Sequence, residues 1–118
     1  MPRKRILSFK YAGEGIWTAL KEEPNLKFHF FAALVVYVLG LYYNITKLDW
    51  ILLVIVAGVV ISLELTNTAI ETVVNSFTED THPGAKRAKD VAAGAVLISA
   101  IMAIIVGVII FTPYVMTH

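Results

Sequence analysis

Residues 91–115 read VAAGAVLISAIMAIIVGVIIFTPYV and contain no charged residue. A helix needs roughly 17 to 25 apolar residues to cross the hydrocarbon core of a bilayer. Because lipid offers no hydrogen-bond partners, so long an apolar run must satisfy its backbone polar groups internally, as an α-helix does. This stretch therefore predicts a transmembrane helix and places the chain among membrane proteins.

Two more runs of this kind precede it, over residues 28–46 and 48–77. The chain of 118 residues is 58% apolar and 16% charged, which exceeds the apolar content of ordinary soluble domains. We therefore predict an all-α membrane protein with three transmembrane helices. It forms a single membrane domain over residues 1–118, with a loop over residues 78–90 between the second and third spans.

Lysine and arginine are concentrated on one side of this layout. Residues 1–27 hold six of them and the 78–90 loop holds three more, whereas the link between the first two runs holds only Lys47. Cytoplasmic segments of membrane proteins are enriched in these residues. We therefore expect the N-terminus and the 78–90 loop in the cytoplasm and the C-terminus outside, in a bacterial plasma membrane.

The segment before the first run, over residues 6–22, is too short and too charged to span a membrane. Ile6, Phe9 and Trp17 can share one helix face, with basic residues elsewhere, as in helices that lie on a membrane surface. Pro24 separates this segment from the first span, because proline disfavours helical geometry in the residue before it. We predict an amphipathic surface helix, and a frayed N-terminal tail is the alternative.

A stripe of polar residues interrupts the second run. At about 100° per residue, the members of this polar stripe share one arc of the helix: Glu64, Asn67, Thr68, Glu71 and Asn75. An ionisable group at bilayer depth costs at least about 2.5 kcal/mol. Glu64 and Glu71 lie roughly 10 Å apart along the helix axis. The two carboxylates therefore need a partner that meets them in the membrane.

Three kinds of partner can meet these carboxylates, and the residues leave all three open. The polar stripe can join helices through polar contacts, or it can line an ion or proton pathway. It can also hold a divalent metal and a phosphorylated ligand, since Mg²⁺ takes one or two carboxylates and completes its shell with water and phosphate oxygens. This third interpretation needs cations for the phosphate, which Lys86, Arg87 and Lys89 supply, and Glu23 adds a carboxylate at the same membrane level.

Several kinds of site are excluded. The chain has no cysteine, which excludes disulfides and thiolate metal sites. Its net charge of +1 gives no strong field for nucleic acid. Neither a glycine-rich phosphate loop nor the protein-kinase motifs occur, so a phosphotransferase would hold its nucleotide through side chains and metal. His29 is interpreted as a polar residue near the membrane interface.

The second run and the segment after it resemble the small prokaryotic lipid kinase family, which comprises diacylglycerol kinase and undecaprenol kinase. The resemblance rests on ELTNTAIE over residues 64–71, RAKD over residues 87–90 and AAGAVL over residues 92–97. It extends over nearly the whole chain. It implies a homotrimer of three-span subunits that transfers a phosphoryl group from ATP, with Mg²⁺ as cofactor, to the hydroxyl of a membrane lipid.

The roles of individual residues are carried over from that resemblance. Glu64 matches the general base that takes the proton of the lipid hydroxyl, and Asn67 matches an amide that helps to order the site. Glu71 and Glu23 match the carboxylates that hold Mg²⁺ on the phosphates. The residues matched to nucleotide binding are Glu23, Glu71, His82, Lys89 and Asp90.

The acceptor lipid is inferred from a shorter stretch. KEEPNLKFH over residues 21–29 is similar to the undecaprenol kinase branch, whereas the diacylglycerol kinase branch tends to have an acid at the position of His29. We therefore expect undecaprenol as the acceptor, with diacylglycerol as the alternative. The chain departs from the family at Asn75, where Asp is common. A non-enzymatic alternative is a small ion-conducting or scaffolding membrane oligomer.

Overall fold

The computed structural model describes residues 5–79 and 82–117, and this part of the chain is helical and has no strand. The helices are α1 (Arg5–Glu22), α2 (Pro24–Tyr43), α3 (Lys47–Phe77) and α4 (Pro83–Thr117). Three of them, α2, α3 and α4, are long and apolar enough to cross a membrane. The prediction of an all-α membrane protein with three such helices after a first helix is confirmed. Of the basic N-terminal residues, Arg3 and Lys4 lie outside the described residues.

The helices begin earlier than the predicted spans, whereas α2 ends at Tyr43, before the predicted residue 46. The ends have local causes. α2 begins at Pro24 instead of residue 28, because proline has the backbone angle of a first helical turn and needs no N–H partner there. α4 begins at Pro83, so most of the predicted 78–90 loop is helical. His82 caps this start, since its Nδ1 accepts the backbone N–H groups of Gly84 and Ala85 at 3.1 and 3.2 Å.

The three long helices give the molecule two ends. At the basic end, which carries Lys86 and Lys89, α2 begins, α3 ends and α4 begins. The opposite, aromatic end carries Tyr43, Trp50 and Tyr114. α3 packs most extensively against α4 and less extensively against α2, while α1 contacts both α2 and α3. The molecule is therefore organised around the α3–α4 pair.

Small residues allow α3 and α4 to approach each other. Ala85, Ala92 and Ser99 are buried along α4, and the Ser99 hydroxyl donates to the backbone carbonyl of Val96 at 2.7 Å. Small side chains let helix backbones come close, which is how helices associate in lipid. On the other faces many large apolar side chains are exposed, as a bilayer requires.

The apolar core lies at the aromatic end. Ile45, Leu53 and Ile110 are buried there, and a ring of partly buried apolar side chains packs against them: Val36, Tyr43, Trp50, Val106, Phe111 and Tyr114. Gly40 lets the Trp50 ring approach α2, because a Cβ at this glycine would lie 2.5 Å from the ring. The close approach of α2 to α3 at this end therefore depends on a residue without a side chain.

Polar side chains connect the α2–α3 link to the end of α4. The Tyr114 hydroxyl donates to Oδ2 of Asp49 at 2.7 Å and accepts the backbone N–H of Thr46 at 3.2 Å. Thr46 is the N-cap of α3, and its Oγ1 accepts the backbone N–H of Asp49 at 3.2 Å. Each of the three side chains therefore has a partner within this cluster, which we call the tyrosine cluster.

Candidate active site

The polar stripe of α3 lies partly inside the bundle. Glu64 and Asn67 are buried, and Thr68 and Glu71 are half-buried. The Thr68 hydroxyl is satisfied on its own helix, since it donates to the backbone carbonyl of Glu64 at 3.0 Å. The side chains of the stripe that are left for other chemistry are therefore the carboxylates and the amides.

Helix α2 supplies the partner of Glu64. Nε2 of His29 lies 3.4 Å from Oε2 of Glu64, and the two side chains are 17% and 4% exposed. Glu71 and Glu23 act on the Glu64 carboxylate as like charges. A buried carboxylate is costly unless a donor meets it, so His29 is the side chain that offsets this cost.

The sequence analysis did not place His29 in the candidate site, because it was interpreted as a polar residue near the membrane interface. Two signals point to it in retrospect. Glu64 needs a donor at its own depth in the membrane, and α2 offers few polar side chains there. His29 is also followed by Ala32 and Ala33, small residues that permit another helix to come close.

Asn67 and Glu71 make a second contact within the polar stripe. Nδ2 of Asn67 donates to Oε1 of Glu71 at 3.1 Å. Asn67 is 8% exposed, and its Oδ1 is buried without a hydrogen-bond partner among the described residues. Buried polar atoms are rarely left unpaired, so this oxygen is an acceptor that a donor or a cation could satisfy.

The basic residues at the start of α4 have different partners. Nζ of Lys89 donates to Oδ1 of Asn75 at 3.0 Å, which joins α4 to the last turns of α3. Lys86 instead pairs with Asp90 on its own helix, with Nζ 2.6 Å from Oδ2, and both side chains are exposed. Lys89 is therefore the cation of this segment that contacts the polar stripe.

The predicted site residues thus fall into two groups. Glu64, Asn67 and Glu71 are neighbours on α3, and Glu23, the N-cap of α2, is close enough to act on Glu64 electrostatically. His82 directly precedes α4, Asp90 lies in its early turns, and both contact residues of their own segment. Within the described residues, no three His, Cys, Asp or Glu side chains form a group that could hold a metal ion by themselves.

An apolar groove leads away from this site between α2, α3 and α4. His29 lines the groove at one end and Trp50 at the other, and its walls are mainly small and aliphatic: Ala32, Ala33, Val36, Ala57, Val60, Ala103 and Gly107. On α3 the groove extends from Trp50 to Ile61, which is roughly 16 Å along a helix axis. Because His29 also contacts Glu64, the groove and the polar stripe meet at one side chain.

Comparison with known proteins assigns the chain to a family. The family model for prokaryotic diacylglycerol kinase matches residues 10–111. The chain is 43% identical to the undecaprenol kinase of Bacillus subtilis over 106 residues, which cover 90% of this chain and 86% of that protein. It is 37% identical to a diacylglycerol kinase of Synechocystis sp. over 109 residues, or 92% of this chain and 62% of that protein. Identity to the diacylglycerol kinase of Haemophilus influenzae is 35% over 107 residues, or 90% and 91% of the two chains. The resemblance is therefore confirmed, and the chain is a lipid kinase that belongs to the prokaryotic diacylglycerol kinase family.

Proposed function

We propose that the protein transfers the γ-phosphoryl group of ATP to the hydroxyl of undecaprenol, in a Mg²⁺-dependent reaction at the basic end of the bundle. One observation carries this proposal: His29 links a buried carboxylate to an apolar groove, because it contacts Glu64 and also lines the groove. Identity of 43% to an undecaprenol kinase, against 37% and 35% to two diacylglycerol kinases, favours undecaprenol. Diacylglycerol is the second candidate acceptor.

Glu64 acts as the general base in this proposal. Its carboxylate takes the proton of the lipid hydroxyl while the hydroxyl oxygen attacks the γ-phosphorus. The bond between that phosphorus and the oxygen of the ADP leaving group breaks, and the products are lipid phosphate and ADP. Phosphoryl transfer depends mainly on positioning and on neutralisation of charge, so a single base at the end of a lipid groove is sufficient.

Lys89 is the residue that we assign to the phosphates. It reaches α3 at Asn75, four residues beyond Glu71 and thus about one helical turn away, and its ammonium group would offset phosphate charge there. Asp90 and His82 would lie at the nucleotide end, at and just before the start of α4. The contact of Lys86 with Asp90 and the capping of α4 by His82 keep these two residues in place.

Magnesium fits the residues of the polar stripe. Mg²⁺ typically takes one or two carboxylates and fills its other positions with water and phosphate oxygens, so a group of three acidic ligands is unnecessary. The unpaired Oδ1 of Asn67 lies on the side chain that also contacts Glu71, which is an arrangement that a cation would complete. Glu71 and Glu23 would hold the ion, with Asn67 ordering the site, and the ion would neutralise phosphate charge.

The groove supports a long apolar acceptor. A lipid alcohol that lies along it would place its chain between His29 and Trp50 and its hydroxyl beside Glu64.

The family resemblance further supports a homotrimer. The distribution of lysine and arginine supports a plasma-membrane orientation with the basic end in the cytoplasm. Light scattering of the purified protein and labelling of cysteines introduced at each end would test these two parts of the proposal.

The test is transfer of labelled γ-phosphate by the purified protein in mixed micelles, with undecaprenol and diacylglycerol offered separately. We expect Mg²⁺-dependent labelling of undecaprenol in preference to diacylglycerol. Preferential labelling of diacylglycerol would show that undecaprenol is not the preferred acceptor, and the proposed mechanism of transfer would still hold. If folded protein labels neither lipid, the proposal fails. Ion flux across the membrane of liposomes that contain the protein would then test the ion-pathway alternative.

A further inference from the structure

The Glu64 carboxylate is placed where few side chains can hold it. Its side chain is 4% exposed, and the neighbouring carboxylates of Glu71 and Glu23 act on it with the same sign of charge. A carboxylate in such surroundings has no fixed direction unless a donor engages one of its oxygens. Catalysis by a base requires a fixed direction, because small errors in placement reduce the rate strongly.

His29 is in position to provide that direction. Its Nε2 lies 3.4 Å from Oε2 of Glu64, and hydrogen bonds of this kind often tighten only when substrate is bound. His29 belongs to α2 and Glu64 to α3, so the contact also fixes the two helices relative to each other at the level of the site. In the described part of the chain, His29 is the one basic side chain that pairs with Glu64.

His29 also lines the apolar groove, in which most of the other walls are aliphatic. An acceptor hydroxyl that approached Glu64 along this groove would therefore pass His29. If Nε2–H engages Oε2, the other carboxylate oxygen is left to face the hydroxyl. The imidazole ring thus lies between the apolar tail of the acceptor lipid and Glu64, the proposed base that receives the proton of the lipid hydroxyl.

We propose that His29 is a positioning residue for the kinase reaction: it donates its Nε2–H to Oε2 of Glu64 and so turns Oε1 towards the acceptor hydroxyl. This inference rests on the proposed role of Glu64 as the base. It assigns to the membrane-spanning part of α2 a role in the chemistry, in addition to that of Glu23 at its N-cap.

Two substitutions at His29 separate hydrogen bonding from packing. His29→Gln retains an N–H donor near the position of Nε2, whereas His29→Leu has a similar volume and no donor. We expect His29→Leu to lower kcat by about 10- to 100-fold with little change in KM for ATP, and His29→Gln to retain most of the activity. Phe31→Leu, an exposed change on the same helix, is the matched control and should leave kcat unchanged. Equal losses in the Gln and Leu variants, or an unchanged Leu variant, would overturn the proposal.

A second measurement does not depend on activity. Thermal unfolding in detergent is compared for His29→Leu in the natural background and in the Glu64→Gln background. Loss of the donor should lower Tm when Glu64 is a carboxylate and should lower it less when residue 64 is an amide, because coupled residues are not additive. Equal shifts in the two backgrounds would show that His29 only fills space and would overturn the proposal. Failure of the kinase function itself would be seen separately, as absence of transfer by the unmodified protein.

Discussion

The two ends of the bundle hold polar groups in opposite ways. At the aromatic end, the tyrosine cluster of Thr46, Asp49 and Tyr114 pairs each of its three side chains, beside an apolar core. At the basic end, each acid of the polar stripe meets one donor side chain, and Oδ1 of Asn67 is unpaired among the described residues. One end is arranged for stability. The other carries a buried oxygen without a partner among the described residues, which a phosphate and a cation would help to satisfy in the proposed function.

Proteins commonly tolerate locally unfavourable free energy at functional sites and offset it in other parts of the structure. Burial of a carboxylate without full compensation destabilises a membrane helix, so the basic end would be a weak point in a purely structural protein. The buried core and the tyrosine cluster at the aromatic end are stabilising features elsewhere in the molecule. Substitutions at the basic end should therefore mainly change phosphate transfer, whereas substitutions at the aromatic end should mainly change thermal stability.

The largest expected effect is that of Glu64→Gln on activity. Removal of a general base typically costs about 10²- to 10⁴-fold in rate, so we expect phosphate transfer to be nearly abolished. Tm should be unchanged or higher, because a buried charge has been removed. The assay is labelled-phosphate transfer together with thermal unfolding, and Glu14→Gln, an exposed change on α1, is the matched control. Retained activity would exclude Glu64 as the base.

Glu71→Gln should change how the rate of phosphate transfer depends on Mg²⁺ concentration. Loss of a carboxylate ligand should raise the Mg²⁺ concentration needed for half-maximal rate by at least about tenfold, as weakened metal sites commonly do. Saturating Mg²⁺ should restore part of the rate. The measurement is a Mg²⁺ titration at fixed ATP, again with Glu14→Gln beside it. A titration curve identical to that of the unmodified protein would contradict the ligand role.

Tyr114→Phe tests the aromatic end. The change removes the hydroxyl that contacts Asp49 and Thr46, and we expect a loss of about 1 kcal/mol in stability, the usual net value of a hydrogen bond. Transfer at saturating substrates should not change. Tyr42→Phe is the matched control, because Tyr42 is exposed. A fall in kcat without a fall in Tm would show that the two ends are not separate in function.

The smallest expected effect is that of Asn75→Asp, which converts the Lys89–Asn75 hydrogen bond into an ion pair near the end of α3. Exposed ion pairs contribute roughly 0.2 to 1 kcal/mol, so Tm should rise slightly. The gain should disappear in a Lys89→Gln background, where the cation is absent. A similar rise in that background would mean that the gain does not come from Lys89.

Much of the fold could be predicted because membrane insertion acts on the sequence directly. Long apolar runs such as residues 91–115 have few alternatives to a helix in lipid, and a run's composition does not depend on what packs against it. Helix ends were less predictable. Most of the 78–90 segment is helical because His82 caps α4 and Pro83 suits a first turn, and such local contacts do not show in hydropathy.

Part of the site could also be predicted, because membrane insertion makes charged residues within an apolar run conspicuous. Carboxylates at bilayer depth stand out in an apolar run, so Glu64 and Glu71 were found from the sequence, and helical spacing put them on one face with Asn67. Their partners on other helices could not be found in this way. Nothing in the spacing along the chain shows that His29 meets Glu64, that Lys89 meets Asn75, or that Tyr114 meets Asp49.

The sequence by itself determined the number of long helices, their apolar character and the acidic face of α3, because each of these follows from residues within a single helix. The tertiary structure alone decided which donor meets each acid and where the groove opens. These depend on how closely the helices approach, which small residues such as Gly40 and Ala92 permit but do not direct. Contacts between residues far apart in the chain are set by packing in three dimensions, and local sequence patterns carry little of that information.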